Sequence, residues 1–273
     1  MTRTINKILI YFILLFFLVI TLYPFIWMVL TSFKIESDIV SYPPTLIPRT
    51  FTLKSYLNIW KSIPFVRFFI NTVIFAVGVT VISVFFDSMA AYAFARINFP
   101  GKKFLFILVL ATLMVPFQVT LIPVFKILFN LGWLDTFLAL IIPRASNAFG
   151  IFLLRQFFIT IPGELEDAAR IDGCSEFRIY WNIILPLSKP ALTTLAIFHF
   201  MYNWNDFLWP LVMTSSSTMR TLPVGLALFM GEHVIEYGLL MAGATLALLP
   251  IVVAYLFAQR FFIKGIALTG LKG

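Results

Sequence analysis

The sequence predicts an all-α integral membrane protein with six transmembrane helices and a soluble helix-turn-helix between the fourth and fifth. Three observations carry that reading. Hydrophobic residues make up 61% of the 273 and charged ones only 12%, with a mean hydropathy of +0.98, far outside the range of an ordinary soluble domain. Six stretches are long and apolar enough to cross a bilayer, where a span takes about 20 residues: 8–33, 68–95, 104–125, 136–154, 190–213 and 237–259. Five of the twelve carboxylates, Glu164, Glu166, Asp167, Asp172 and Glu176, fall together within residues 160–189, an island that hydrocarbon does not accept. Residues 1–273 read as a single membrane domain.

Taken in order, the first span has an uncharged run too long for a secretory signal and five further spans behind it, so it reads as an uncleaved helix. Tyr23, Pro24 and Trp27 suit its interfacial end. The segment after Phe33 carries Pro43, Pro44, Pro48 and Pro64, which predicts a folded-back loop with a short helix near Lys54 to Trp60. The second span holds Asp87, then Ala90, Ala91, Ala93 and Ala95 before Arg96; small residues let helices approach closely in lipid. An intramembrane carboxylate needs a pairing group, a hydrogen-bond cage, or a proton or substrate role. Pro116, Gln118 and Pro123 interrupt the third span and predict a kink. The fourth contains Pro143, Arg144, Ser146 and Asn147. An arginine there costs about 2.5–3.5 kcal/mol to insert, which directs it to an internal cavity or a partner subunit. The fifth carries His199, Asn203, Asn205 and Asp206 beside Trp204 and Trp209, and a polar loop over 214–236 leads to the sixth.

Lysine and arginine positions set the orientation. With the N-terminus inside, twelve of the twenty fall on cytoplasmic segments, among them Lys7, Arg96, Lys102, Lys103, Arg155, Arg170 and Lys264, so both termini are expected to be cytoplasmic. These flanks account for the net charge of +8 without nucleic acid and favour anionic lipid. One cysteine, Cys174, leaves no intrachain disulfide and no cysteine metal cluster.

Within the acidic island, Glu164, Glu166 and Asp167 place negative charge at a helix start. Leu165, Ala168, Ala169 and Asp172 follow at i, i+3, i+4 and i+7, which predicts one narrow face. Gly173 suits a left-handed helix end. Ser175 is a fair N-cap for a second helix, with Phe177, Tyr180, Trp181 and Ile184 as its apolar stripe and Pro186 as its stop.

DAARIDG at Asp167 to Gly173, followed by LPL at Leu185 to Leu187, resembles the EAA motif of binding-protein-dependent ABC importer permeases. AAYAFARINFPG, FGIFLLRQFF, YNWNDFLWPL and the terminal GLKG extend the likeness over nearly the whole chain, in the MalG-like carbohydrate-uptake branch. The resemblance implies a subunit of a bacterial or archaeal cytoplasmic membrane importer for a sugar or oligosaccharide. It also implies a second permease as hetero-dimer partner, two ATPase subunits that carry ATP and Mg, and an extracytoplasmic solute-binding protein. Residues 160–189 become the coupling loop that docks in an ATPase cleft, through Glu166, Asp167, Ala168, Ala169, Asp172 and Gly173. The family's leading Glu is Asp167 by register, with Glu166 beside it, and either carboxylate can make the contact.

Arg144, Ser146, Asn147, Asn203, Asn205 and Asp206 are the candidate translocation-pathway or gate residues. Amides, carboxylate and indoles suit sugar hydroxyls and faces, and they equally suit an outer membrane boundary. A membrane enzyme is disfavoured, since HExxH and GxSxG are absent and the sequence offers neither catalytic nor metal residues. A self-sufficient secondary transporter lacks support from repeated halves. FPGKKF is no Walker A sequence, so this chain is expected to bind no cofactor and to leave ATP hydrolysis to a partner.

Overall fold

The protein is described by a computed structural model covering residues 2–231 and 235–269; the terminal GLKG lies outside them. The chain divides into two compact units, residues 1–67 with 222–249 and residues 68–221 with 250–273, where the sequence suggested a single domain. No change of composition marks the three junctions, and two of them, 67/68 and 249/250, fall inside apolar helices.

In the first unit, helix α1 (Thr2–Ser32) is apolar along most of its length after Lys7, and its most apolar stretch has no buried residues, as expected of a helix bathed in hydrocarbon. Short helices α2 (Glu36–Ile39) and α3 (Lys54–Ser62) follow, the latter close to the predicted Lys54 to Trp60. The loop between them folds back on Asp38, whose carboxylate accepts the Arg49 N–H at 2.9 Å. Lys34 is buried, with its ammonium on the Thr45 carbonyl and 4.9 Å from the Trp27 ring centroid.

In the second unit, α4 (Phe65–Arg96), whose first turn belongs to the first unit, is one unbroken 32-residue helix. Of the four expected spans after it, the third, fourth and fifth are broken. Helices α5 (Lys102–Thr112) and α6 (Phe117–Asn130) meet at 96° in place of one kinked helix over 104–125. Pro116 forces residue 115 out of helical geometry and cannot donate to the preceding turn, while Pro123 stays inside α6. Helix α7 (Phe137–Ile141) tightens into a 3₁₀ turn at Ile142–Arg144, and α8 (Ala148–Ile159) restarts at a 42° angle with Asn147 as N-cap.

The predicted helix-turn-helix is present as α9 (Glu164–Ile171) and α10 (Glu176–Ile179). Pro186 does not stop the second helix. The helix widens into a π turn at Tyr180–Ile184 and continues as α11 (Leu185–Leu187), because the wider turn leaves room for a ring that an α turn would exclude. Helix α12 (Lys189–Trp204) follows at 80°, and α13 (Leu208–Met213) resumes after a break at 205–207.

The loop over 214–236 is less polar than expected. It contains α14 (Leu222–Leu226) and a 3₁₀ turn at Ala227–Phe229 in the first unit, with Leu222, Val224, Leu226 and Phe229 buried. Helix α15 (Tyr237–Thr269) begins there, capped by the Glu36 carboxylate, which accepts the Tyr237 and Gly238 N–H groups at 3.0 and 3.2 Å. Three single helices and three bent pairs pass the test of length and apolarity for crossing a membrane, giving six spans if each pair counts once.

Along α4 the second unit shows three layers. Phe75 and Val79 join Leu128, Leu140, Trp209 and Met213 in one apolar core. Ser83 and Asp87 follow, both buried, and then Ala91 and Tyr92 enter a second core with Leu154, Phe158, Ala169, Tyr180 and Leu195. Gly150 of α8 makes the polar layer possible: a Cβ there would stand 2.1 Å from Asp87 Oδ2 and 3.2 Å from His199 Nε2. Gly150→Ala should therefore cost about 1–3 kcal/mol through forced displacement, read as a lower unfolding midpoint in detergent; an unchanged midpoint would contradict this close approach.

Candidate functional site

Two sites emerge from the second unit. The first is the α9–α11 excursion. Glu166 is 2% exposed and meets Arg96, the last residue of α4, through a 2.9 Å contact between Oε1 and Nε. The Arg96 guanidinium also donates from Nη2 to the Phe158 carbonyl at 2.6 Å and to the Ile161 carbonyl, satisfying carbonyls at the C-terminal end of α8. Arg170 reaches Glu166 at 3.3 Å, Asp167 at 3.0 Å and Glu176 at 2.9 Å. The ring closes through Tyr92, whose hydroxyl donates to Glu176 at 2.7 Å. The Arg170 and Tyr92 hydrogen bonds hold the Glu176 carboxyl below its ordinary value, and the hydrogen bonds to Glu176 and Asp167 raise that of Arg170.

The two neighbouring carboxylates are thereby separated. Glu166 turns inward, and Asp167 is 71% exposed. The face predicted from Leu165, Ala168, Ala169 and Asp172 splits as well: Ala169 is buried with Glu166, whereas Leu165, Ala168 and Asp172 face out. A helical turn of 3.6 residues allows both sets, and the Arg96 anchor decides which is buried. The turn after α9 is held by the backbone, not by the Asp172 side chain. Cys174 N–H bonds to the Ala169 carbonyl at 2.9 Å and Gly173 N–H to the Arg170 carbonyl at 3.0 Å, a Schellman motif with Gly173 at φ 77°. In the second helix Tyr180 and Ile184 are buried, but Phe177 and Trp181 of the predicted stripe are exposed.

The second site lies at the breaks. Arg144 Nη2 meets Asp206 Oδ2 at 2.5 Å and Nη1 donates to Asn203 Oδ1 at 2.8 Å. The rings of Trp209, Phe117, Tyr202 and Phe75 surround the guanidinium at 5.0 to 5.8 Å. Ser146 and Asn147 belong to a different cluster. The Ser146 hydroxyl and the Asn147 N–H donate to Asp87 Oδ1 at 2.7 and 2.8 Å, while His199 Nε2 lies 3.2 Å from Oδ2. Asp87 thus fixes the start of α8. Asn205 joins neither cluster; its amide bonds back to the Met201 carbonyl at 2.8 Å on an exposed surface. Among the described residues no group of histidine, cysteine and acidic side chains could hold a metal. The sequence reading missed Arg96, Tyr92 and the pairing of Asp87 with His199. The one hint at Arg96 was its place directly after the alanine run of α4.

Residues 84–268, which contain both sites, match the family described as "Binding-protein-dependent transport system inner membrane component". The chain belongs to that family. Whole-chain relatives agree. The permease is 38% identical over 257 residues to the arabinooligosaccharides transport system permease protein AraQ of Halalkalibacterium halodurans, covering 93% of this chain and 92% of that one. It is 37% identical to the inner membrane ABC transporter permease protein YcjP of Escherichia coli, over 99% and 98% of the two chains. Identity to the sn-glycerol-3-phosphate transport system permease protein UgpE of Yersinia pestis is 36% over 85% of each. Its fold matches a chain in the crystal structure of a bacterial ABC transporter involved in the import of the acidic polysaccharide alginate, with a TM-score of 0.83, 25% identity, and coverage of 96% and 98%. The permease is thus a multi-pass inner-membrane subunit of a binding-protein-dependent ABC importer, a family in which an EAA motif and a coupling helix are typical.

Glu166→Gln should destabilise the purified permease by on the order of 3 kcal/mol, since it leaves the largely buried Arg96 without its counter-charge, whereas Asp167→Asn should leave the unfolding midpoint unchanged. Equal effects would contradict the division between the two carboxylates. The depressed Glu176 carboxyl contributes stability that is fully present above its ordinary value of 4.5 and is lost as pH falls through the lower folded-state value. Unfolding midpoints measured across pH 3 to 6, about the ordinary carboxylate range, should drop at the acid end less for Glu176→Gln than for the wild type.

Proposed function

We propose that this permease forms half of the translocation pathway of an ATP-driven importer for a sugar or oligosaccharide. It pairs with a second permease and takes solute from an extracytoplasmic binding protein. It carries no ATPase site of its own; ATP and Mg bind on two partner ATPase subunits, and α9 docks in one of them. Both termini lie in the cytoplasm, which places the basic flanks of α4, α5 and α9 on that side. Arg144, Asn203 and Asp206 line the pathway, with Ser146 and Asn147 next to them.

The observation that carries this reading is the two-sided construction of α9. One side is locked to α4 through Arg96 and Glu166. The other offers Leu165, Asp167, Ala168 and Asp172 to a partner, with small side chains and acid at its start. Movement imposed on the outer side is passed to a 32-residue helix that also carries Asp87. The solute class follows from the relatives whose names specify arabinooligosaccharides and from the alginate importer.

A β-branched residue at position 173 opposes the positive φ there, so Gly173→Val should leave the complex assembled and hydrolysing ATP while uptake in proteoliposomes falls by about tenfold or more. A cysteine at Ala168 should crosslink to the ATPase subunit. Normal uptake by Gly173→Val, together with crosslinks from position 168 to lipid alone, would overturn the coupling assignment.

A further inference from the structure

The three broken spans converge on one cavity of about 250 Å³. Phe117 and Thr120 come from the first turn of α6, just after the α5–α6 break. Arg144, Ser146 and Asn147 come from the α7–α8 break, and Tyr202, Asn203 and Trp209 flank the α12–α13 break. Irregular backbone within an apolar stretch is tolerated where it is buried in protein or lines a polar cavity, and discontinuous helices in membrane transporters commonly surround a solute. Three breaks around one space point to a site.

We propose that this cavity is a subsite for one ring of an electrically neutral sugar, and that it disfavours carboxylated or phosphorylated solutes. The proposal rests on the reading of the permease as a carbohydrate importer and deepens it. The cavity is smaller than the roughly 300–1,000 Å³ usual for drug-sized ligands, which suits one ring at a time. Its charges are already spent on each other. Arg144 is committed to Asp206 and Asn203, and His199 faces Asp87, which also holds Ser146 and the Asn147 N–H. An anionic solute would therefore find, among the described lining residues, Arg144 already compensated by the adjoining Asp206 and the His199 ring turned to Asp87, with both carboxylates just behind the lining. What remains suits hydroxyls and C–H faces: the Asn147 amide, acceptor capacity on the Ser146, Thr120 and Tyr202 hydroxyls, and the aromatic rings of Trp209, Tyr202 and Phe117. The family itself leaves solute charge open, since relatives are named for arabinooligosaccharides and for sn-glycerol-3-phosphate.

The test uses the complete complex, with its second permease, ATPase subunits and binding protein, in proteoliposomes. Labelled arabinotriose and maltotriose serve as neutral probes, and an alginate trisaccharide and glycerol 3-phosphate as anionic ones. Uptake of a neutral probe is expected. In a Cys174→Ser background, a thiol introduced by Thr120→Cys should be protected from a cationic methanethiosulfonate reagent by that probe and not by the anions. Tyr202→Ala, at a largely exposed position, should lower maximal uptake by about tenfold while ATP hydrolysis and affinity for the binding protein stay unchanged. Uptake of an anionic probe alone, or unprotected labelling at position 120 during neutral uptake, overturns the subsite and leaves the importer reading standing. A complex that hydrolyses ATP but takes up no probe of either class overturns both.

Discussion

A charge placed among apolar helices has to meet a counter-charge, and the second unit is organised around that constraint. In a low-dielectric interior an isolated ion costs several kcal/mol, which good geometry and further hydrogen bonds can offset. Arg96 with Glu166 and Arg144 with Asp206 are such ion pairs, and the buried Asp87 carboxylate is met by the His199 ring, Ser146 and the Asn147 N–H; each of these contacts joins segments far apart in sequence. Truncating Glu166 or Arg144 would leave a largely buried partner, Arg96 or Asp206, without its counter-charge. The pairs therefore specify which helices are neighbours, a task that lipid-like side chains perform poorly because one apolar surface resembles another.

The Arg96–Glu166 pair also explains how a short helix holds its shape on the outside of the second unit. Eight residues of α9 are too few to be stable alone in water, so its shape has to be imposed from outside. Arg96 supplies this by gripping Glu166 and the carbonyls that end α8, and Arg170 extends the grip to Glu176 at the start of the next helix. With its inner side fixed, α9 can expose small and acidic residues outward without collapsing onto the membrane unit.

The breaks in the other spans follow from the same economy of polar groups. A helix interrupted in an apolar stretch frees N–H and C=O groups that must find partners. Asp87 takes the freed Asn147 N–H, the Ser83 hydroxyl donates to the Arg144 carbonyl at 2.7 Å, and the Trp209 indole donates to the Leu140 carbonyl at 3.2 Å. Side chains that look functional in isolation thus have a second duty, holding open the cavity they line.

The sequence by itself determined the class, the number of apolar stretches, the acidic excursion and its Gly173 turn, because hydropathy, prolines and turn residues act locally and carry their own signal. Arg144 was legible as a costly intramembrane charge and Asp206 as a polar group of the fifth span, though not as each other's partner. Only the tertiary structure decided that Glu166 faces inward and Asp167 outward, that Asn205 stands apart from Asn203, and that three separate interruptions share one cavity. The physical reason is that local pattern places a charge on a helix, whereas its counter-ion comes from wherever packing delivers one. Burial, pairing and the side of α9 left open are settled together by contacts between residues up to 112 positions apart.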